Sequence, residues 1–441
     1  MNFARLNHIL IPSTKEGRDR FRNTRTGRLV KPLFRLYLAL TPEGRFLTIF
    51  WLLTGAAGLE VGTTQIYVLF ALVTGLLAAS LLARRAYRLA DLTVSLEAPL
   101  RTTVGEPLTV TLVVRNRGER PVGDLDVSTP LLPWDGRWLP AAADRYAVDP
   151  GETTRIRLAA RFTERGDHHL DPFHLGRTVP LGVACGPVID TPGVRFLVRP
   201  RPAVVVALPL ALGREARSQG GRALAPDARD LAGTRPYRPG DRVRDLHARS
   251  WARLGIPVVR EWREDRVADA AVVLELTGSA TQDAEAAAVS LAAGLIVRLA
   301  ELSAALDAVV VSGQAPLTGP ALEQPDLALD AVARARPEAL SAAAIEPAVR
   351  GLGTVFWVTD GPSDAAPTLR RRGVPVELIF IRGSESRWLR AAARSPAAPI
   401  PAGARVVAAR DVLSGARIDL AGGSPTNEAA GHARQESGGG A

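Results

Sequence analysis

Two short segments carry side chains that could bind a metal ion. Glu275, Thr277 and Ser279 follow one apolar run, and Asp360 follows a second one within Thr-Asp-Gly. Ligands of a parallel sheet lie at the carboxyl ends of its strands, so we expect these two loops to meet. Two acids and two hydroxyls form an oxygen-rich set that suits Mg²⁺ or Mn²⁺. The sequence therefore predicts a divalent metal site, and it indicates no other cofactor.

A dense run of charge precedes these segments and contains Asp241, Asp245 and His247. Asp245 and His247 are two residues apart and would share one face of an extended segment, so they could act as an acid–base pair. No activated nucleophile or glycine-rich phosphate loop accompanies them. The alternatives are an ion-pair network that links two domains, or a guanidinium-rich surface for a carboxylate or phosphate partner.

The cysteine and the histidines of residues 168–174 are interpreted as structural. Cys185 is the only cysteine, which excludes an intrachain disulfide and a cysteine-based zinc site. His168 and His169 are adjacent on a predicted strand and point to opposite faces. At most one of them could therefore join His174 at a metal ion.

Two uncharged stretches near the N-terminus predict a membrane anchor. Residues 46–59 and 61–83 contain no charge and are separated by Glu60. The second reaches the roughly 20 residues that cross a bilayer, and the first does so only if it includes Glu60. Arginines precede the first stretch and follow the second, and the turn has none. The positive-inside rule therefore predicts a two-pass hairpin with both ends in the cytoplasm. The alternative is a hairpin buried in a soluble domain.

The positive charge is concentrated beside this anchor. The whole chain has a formal charge of +10, and residues 1–45 contain ten Lys or Arg and three acids, a net +7. Basic residues crowded against an apolar segment are typical of proteins at an anionic inner leaflet. The charge therefore indicates the lipid bilayer of the inner membrane as a partner and argues against nucleic acid.

The periodicity of the remaining chain predicts two folded parts. Residues 92–202 alternate apolar and polar positions in short strands, which indicates a small antiparallel β-sandwich. Residues 267–415 alternate continuous apolar strands with helices, which is typical of a doubly wound α/β sheet. The complete predicted organisation is a basic cytoplasmic segment (1–45), a transmembrane helical hairpin (46–83), the sandwich (92–202), a linking motif segment (203–266), the α/β domain (267–415) and a disordered tail (422–441).

The candidate metal loops resemble the metal-ion-dependent adhesion site of von Willebrand factor A domains. That family reads Asp-x-Ser-x-Ser in its first loop and Thr-Asp-Gly at a late strand. Ser279 and Asp360 match this pattern, whereas Glu275 and Thr277 depart from it. The region around Ser341 offers no clear counterpart of the family's middle threonine. The resemblance implies a von Willebrand factor A-like fold with a degenerate metal site.

A longer resemblance covers about residues 38–415. It begins with LTPEGR at 40–45 and continues through GEP at 105–107, RN at 115–116 and VRPRP at 198–202. Its central motif comprises Arg235, Tyr237, Pro239, Gly240, Asp241, Arg244, Leu246, His247, Ala252 and Arg253. The family usually has tryptophan directly after the histidine, and here the tryptophan is Trp251. The chain resembles bacterial domain-of-unknown-function family fifty-eight, whose members are similar to von Willebrand factor A proteins that accompany MoxR-type AAA+ ATPases.

The resemblance implies a membrane-anchored, non-catalytic adaptor or scaffold. Its partner would be an AAA+ ATPase of the MoxR type, and its role would be the maturation or remodelling of envelope or other client proteins. The motif would form the partner surface, comprising Arg235, Tyr237, Gly240, Asp241, Arg244, His247, Trp251 and Arg253. The alternative is a membrane-associated hydrolase that uses Asp241, Asp245 and His247.

Overall fold

The computed structural model describes residues 15–24, 36–57, 64–140, 145–210, 230–238, 246–263, 269–278, 281–302, 305–322, 324–383 and 400–421. The chain divides into two compact units, residues 1–199 and 200–441. Several predicted features lie outside the described residues, namely Glu60, Gly240, Asp241, Arg244, Asp245, Ser279 and the tail at 422–441.

Three helices begin the N-terminal unit, α1 (Lys15–Asn23), α2 (Pro42–Ala57) and α3 (Thr64–Ala83). A 3₁₀ turn at Arg84–Ala86 follows α3. Trp51 of α2 stacks on Phe70 of α3 with 5.6 Å between the ring centroids. The Trp51 indole nitrogen also donates to Thr74 Oγ1 at 2.8 Å. The two helices therefore pack as a pair within this unit.

The described strands of this unit are β1 (Leu92–Glu97), β2 (Arg101–Thr103), β3 (Pro107–Asn116), β4 (Val122–Ser128), β5 (Gly136–Trp138), β6 (Tyr146–Val148), β7 (Thr153–Phe162), β8 (Gly166–Leu170), β9 (His174–Arg177), β10 (Ile189–Asp190) and β11 (Val194–Arg199). They form three sheets, β1-β3-β7-β5, β10-β9-β4-β6 and β2-β11-β8. Neighbouring strands are antiparallel, except that β2 and β11 are parallel. Every second residue of β3 and β7 is buried, and these residues join β4, β8, β9 and β11 in one apolar core.

The described strands of the C-terminal unit are β12 (Val205–Ala207), β13 (Asp230–Pro236), β14 (Val258–Arg263), β15 (Asp269–Glu275), β16 (Ala305–Val311), β17 (Leu317–Thr318), β18 (Thr354–Thr359), β19 (Val376–Arg382), β20 (Arg405–Ala408) and β21 (Ile418–Asp419). Its helices are α4 (Ala248–Leu254), α5 (Gln282–Glu301), α6 (Pro325–Ala333), α7 (Ala342–Val349), α8 (Ala365–Arg371) and α9 (Ala409–Leu413), with a 3₁₀ turn at Gly319–Leu322. β12 pairs with β21 in parallel, and β13 pairs with β14 antiparallel.

The largest sheet of this unit has six strands in the order β17-β16-β15-β18-β19-β20. Its pairs are parallel, except that the edge strand β17 is antiparallel to β16. Because consecutive side chains of a strand point to opposite faces, Val272 and Leu274 pack in a cluster with α5. Ala271 and Val273 pack in a second cluster with α7 and α8. Apolar side chains therefore cover β15 on both faces.

The predicted fold class combined a transmembrane helical hairpin, a small antiparallel β-sandwich and a doubly wound von Willebrand factor A-like α/β domain. This prediction is wrong. The described residues are rich in β-structure divided among six sheets. Among them, one helix, within Gln65–Ala86, is long and apolar enough to cross a membrane. The 16 residues of α2 rise about 24 Å, less than the roughly 30 Å of a bilayer core. Apolar strand runs indicate burial on both faces and do not identify a fold family.

Candidate functional site

The carboxyl ends of β15 and β18 bring two of the predicted ligands together. These strands are parallel neighbours, with Glu275 paired in register with Thr359. Just beyond them, the backbone N–H of Thr277 donates to Asp360 Oδ1 at 2.8 Å, and the Thr277 hydroxyl donates to the same oxygen at 3.0 Å. Gly361 is required beside this contact, because any side chain there would overlap the Thr277 hydroxyl.

Glu275 is buried beneath the strand ends, where protein donors reach both of its oxygens. Trp357 Nε1 donates to Glu275 Oε2 at 2.9 Å, and the Leu340 N–H donates to Oε1 at 3.4 Å. Glu275 is 3% exposed. This burial raises the pKa of its carboxyl, and hydrogen bonds from Ser363 and Trp357 oppose the rise. Sequence reasoning missed both Trp357 and Leu340 as partners of this acid.

Asp360 keeps one oxygen without a hydrogen-bond donor. Oδ1 accepts both bonds from Thr277, whereas Oδ2 is buried and has no hydrogen-bond partner among the described residues. Burial raises the pKa of the Asp360 carboxyl, the bonds from Thr277 oppose the rise, and the charge of Glu285 adds to it. A proton or a cation on Oδ2 would relieve the cost of burying this charge.

The predicted metal ligands fit a divalent cation only in part. The oxygen donors suit Mg²⁺, and Asp360 Oδ2 is an open ligand atom. Glu275 offers no comparable atom, because both of its oxygens accept bonds from the protein. Ser279 lies outside the described residues. Among the described residues, no group of three or more His, Cys, Asp or Glu side chains could hold a metal ion. The site of Glu275, Thr277, Ser279 and Asp360 stays a prediction, which calorimetric titration with Mg²⁺ tests.

The described residues of the predicted motif surface lie on a β-hairpin and on a short helix. Arg235 lies on β13 opposite Val259 of β14, and the backbone N–H of Tyr237 donates to Pro257 O at 2.9 Å. Trp251 and Arg253 lie on α4 and are exposed. The structure therefore describes Arg235, Tyr237, His247, Trp251 and Arg253 of the eight predicted residues.

His247 acts as the N-terminal cap of α4. Its Nδ1 accepts a hydrogen bond from the Ser250 N–H at 3.2 Å and lies 2.7 Å from the Ser250 hydroxyl oxygen. Its own N–H donates to Val258 O at 2.8 Å, which ties the cap to β14. Because Nδ1 is engaged in this way, Nε2 is the ring nitrogen left for acid–base work.

Large apolar side chains are exposed on α4 and directly after it. Trp251 is 44% exposed, Leu254 56% and Ile256 51%. Trp251 and Leu254 are three residues apart and lie on one helix face, with Arg253 between them in sequence. We call these four residues, Trp251, Arg253, Leu254 and Ile256, the α4 surface. Sequence reasoning identified the tryptophan and the arginine and missed the two aliphatic residues.

A second exposed apolar surface lies on α2 and α3. Only 17% of the most apolar part of α3 is buried. The large side chains that α2 and α3 expose are Phe46, Ile49, Leu52, Leu53, Tyr67, Val68, Leu69, Leu72 and Leu82. A helix in the core of a water-soluble protein buries such residues, so this outward display indicates a membrane helix. The single candidate span does not support the predicted two-pass topology.

The described histidines of the N-terminal unit lie beside aspartates. His168 Nε2 is 2.8 Å from Asp135 Oδ2, and both side chains are buried. His168 Nδ1 is 2.9 Å from Gly166 O, and because a carbonyl only accepts, this nitrogen carries a proton. His174 pairs with Asp190 nearer the surface, at 2.7 Å. These pairs favour the structural interpretation of the histidines.

Cys185 is buried and in the reduced form. Burial raises the pKa of its thiol to about 11, with a smaller effect from the charge of Asp126. A thiol that stays protonated at neutral pH is a poor nucleophile, which favours the structural interpretation of this residue.

Comparisons with known proteins identify no family. No protein-family model matches the chain, and no curated protein matches it. A FixG-related protein of Vibrio parahaemolyticus is 18% identical over 25% of this chain and 98% of its own, with a TM-score of 0.19. The CARDB domain of the PF1109 protein of Pyrococcus furiosus is 15% identical over 24% of this chain and 87% of its own, with a TM-score of 0.16. The MSP-domain-like protein SSP-19 of Caenorhabditis elegans is 14% identical over 23% of this chain and 94% of its own, with a TM-score of 0.16.

At these TM-scores the similarities assign neither a fold family nor a role to this chain. The resemblance to family fifty-eight stays a prediction.

Proposed function

We propose that this chain is a membrane-anchored, non-catalytic adaptor or scaffold. The anchor is α3, with α2 packed beside it, and the C-terminal unit presents the α4 surface to a partner. By the resemblance of the motif at 235–253, the partner is an AAA+ ATPase of the MoxR type. The proposed role is the maturation or remodelling of envelope or other client proteins.

The observation that carries this proposal is the outward apolar surface of α3. Its 20 residues rise about 30 Å, which matches the hydrocarbon thickness of a bilayer. Val68 is 63% exposed in the second turn of the helix, and Leu72 is 64% exposed near its middle. Lipid is the environment in which such an uncharged surface is stable, and Arg84 and Arg85 follow where the headgroups would begin.

The two-pass arrangement in the inner membrane is part of this proposal, with α3 as the full span and α2 as a shorter pass, and it draws on the contacts of both helices with the β-structure. The Thr41 N–H donates to Val183 O at 3.2 Å, and Arg84 Nε donates to Cys185 O at 2.7 Å. The start of α2 and the end of α3 therefore approach the same loop, on the side flanked by arginines, which favours the cytoplasm. A reporter fused directly after Arg88 tests this topology, and a periplasmic reporter would contradict it.

The α4 surface supports the proposal of a protein partner. Trp and Arg are enriched among the residues that dominate binding energy at protein interfaces, and exposed aliphatic neighbours extend the buried area. Trp251 meets this description, with the exposed Leu254 on the same helix face and Ile256 exposed just after the helix. Truncation of a tryptophan to alanine costs about 2 kcal/mol or more where that residue is a hot spot of the interface.

A pull-down from membranes tests the partner. The tagged chain, solubilised in mild detergent after crosslinking, is expected to retain a MoxR-type ATPase. Trp251→Ala is expected to reduce the yield at least tenfold, because a loss of about 1.4 kcal/mol corresponds to a factor of ten in binding. Leu327→Ala is the matched control, since Leu327 is also 44% exposed in the same unit. Absence of any such ATPase would count against the proposal.

The alternative hydrolase depends on Asp241, Asp245 and His247, of which His247 alone is described. A screen of the purified chain against phosphoesters and peptides distinguishes it from the adaptor. Hydrolysis that is lost with Asp241→Asn and kept with Trp251→Ala would favour the enzyme.

A further inference from the structure

We propose that the loop of residues 178–185, here called the wedge loop, enters the cytoplasmic interface of the bilayer beside α2 and α3. Its lipid-contacting side chain is Leu181. This inference rests on the proposed membrane anchoring and adds a third membrane contact, supplied by the β-structure. The lipid would then hold the N-terminal unit at the membrane surface in addition to anchoring it.

The wedge loop is attached to both helices by hydrogen bonds. The Cys185 N–H donates to Ala39 O at 2.9 Å, just before α2, and Arg84 Nε donates to Cys185 O at 2.7 Å, just after α3. The Thr41 N–H donates to Val183 O at 3.2 Å. The loop therefore lies between the two helix ends that would meet the cytoplasmic headgroups.

Apolar packing joins the wedge loop to the apolar part of α3. Val183 is buried in one cluster with Leu40, Val73 and Leu77. Leu77 belongs to the candidate span, and the seven residues that separate it from Arg84 rise about 10 Å. Gly44 permits this approach, because any side chain there would overlap the Val183 carbonyl. The loop therefore lies where the arginines that flank the helices give way to the apolar part of α3, which is the level of the membrane interface in this proposal.

The tip of the wedge loop exposes apolar side chains. Residues 179–183 read VPLGV and contain no charge. Leu181 is 75% exposed, and its φ of 76° lies in the left-handed region that favours glycine. In water, an exposed leucine in this conformation has no compensating contact. In an interface, its side chain would enter the region between headgroups and acyl chains.

The residues around the wedge loop are types found at a membrane interface. The Arg45 guanidinium lies 3.5 Å from the ring centroid of Tyr37, and the Arg177 guanidinium lies 5.5 Å from that of Tyr87. Tyrosine is enriched at headgroup level, and arginine is attracted to anionic lipid. Tyr37 is 42% exposed, so its ring extends the apolar surface. A lipid surface with anionic headgroups therefore fits this region better than a second protein does.

Depth-dependent quenching on the full chain tests the proposal. The chain is reconstituted in vesicles of phosphatidylethanolamine and phosphatidylglycerol, with an environment-sensitive fluorophore on Leu181→Cys. Val68→Cys reports the anchor, and Leu100→Cys is the matched exposed control on the β-structure, since Leu100 is 71% exposed. Leu100 lies three residues beyond the end of β1, whose six residues extend about 20 Å. The unsubstituted chain controls for labelling of the buried Cys185.

The expected result is a blue-shifted emission at positions 181 and 68 that nitroxide-labelled lipids quench, with no quenching at position 100. Quenching at position 68 with a water-like emission at position 181 would contradict insertion of the wedge loop, while membrane anchoring by α3 would still be supported. No quenching at either position would overturn both. A shift at 181 that lipid does not quench would assign the loop to a protein contact and overturn the proposal. Equal quenching at 100 and 181 would indicate general adsorption and would also overturn it.

Discussion

Trp357 donates its indole hydrogen to the Glu275 carboxylate at 2.9 Å, between adjacent parallel strands. Val273 pairs in register with Trp357, so Glu275 lies two residues further along β15 on the same face. The acid that the sequence assigned to a metal ion is therefore a buried acceptor with donors of its own. Its environment explains the direction of its pKa and gives the first two predictions.

Trp357→Phe removes this donor and keeps most of the aromatic volume. We expect the free energy of unfolding of the sheet to fall by about 1–3 kcal/mol, because a buried carboxylate loses a hydrogen bond. The urea dependence of hydrogen exchange in β15 and β18 measures the loss. Glu275→Gln in the Trp357→Phe background should recover part of it by removing the charge. If Trp357→Phe lowered the free energy of unfolding equally with Glu or with Gln at position 275, the effect would instead be one of packing.

The raised pKa values of Glu275 and Asp360 make the sheet less stable as pH rises. A carboxyl with a folded-state pKa above its unfolded value of about 4 holds its proton longer in the folded protein. The destabilisation is therefore absent below the unfolded pKa, grows as pH rises towards the folded pKa, and is complete above it. Protection of β15 and β18 against exchange, corrected for intrinsic rates, should fall over this window.

Asp360→Asn is the control for this pH dependence. The amide oxygen can still accept both bonds from Thr277, and the variant does not titrate. The slope of stability with pH should therefore become smaller in the variant. An unchanged slope would show that Asp360 does not contribute to it.

Asp135→Ala is expected to destabilise the N-terminal unit strongly, whereas Asp190→Ala is not. Asp135 and His168 form a buried pair, and removal of one partner leaves the other without compensation, at a cost of about 3–5 kcal/mol. The Asp190 side chain is 59% exposed, so loss of its contact with His174 should cost no more than about 1 kcal/mol. The urea concentration at which the amides of β8 and β9 lose half of their protection against hydrogen exchange measures both losses of stability. Similar losses in the two variants would contradict the assignment.

Gly44→Ala and Gly75→Ala compare two glycines of the membrane-proximal helices. A methyl group at position 44 would overlap the Val183 carbonyl, whereas one at position 75 meets no atom within 4 Å. The first substitution should therefore increase hydrogen exchange in the wedge loop. The second should leave it unchanged, since alanine is the better helix former by about 1 kcal/mol. Increased exchange with both variants would refute the close contact at Gly44.

Local patterns in the sequence predicted the elements better than their contacts. Alternation in β3 and β7 predicted strands with one buried face, and continuous apolar runs predicted the buried strands β15 and β18. The charge-free run at 46–59 missed the start of α2, which begins four residues earlier at Pro42 and includes Glu43 and Arg45, because a run of uncharged residues does not show where a helix begins. The metal hypothesis was based on the position of Glu275 at the end of an apolar strand, and only the register with β18 reveals Trp357 beside it.

Contacts between distant parts of the chain could not be predicted in this way. Thr41 donates to Gly182 across 141 residues, and His168 meets Asp135 across 33 residues. Such pairs depend on how sheets and helices pack, which periodicity along one segment does not report. The spacing of the three histidines was informative only about faces of a strand, and their aspartate partners carried no local signal.

Extraction of membranes with alkaline carbonate tests the anchoring by α3 most directly. The full chain is expected to remain in the membrane pellet. Leu72→Arg should release a large share, because a lipid-facing arginine near the middle of a span costs about 2.5–3.5 kcal/mol. Leu82→Arg should stay in the pellet, since it is 79% exposed at the helix end and its side chain can reach the headgroups. Recovery of the unsubstituted chain in the carbonate supernatant would contradict the account.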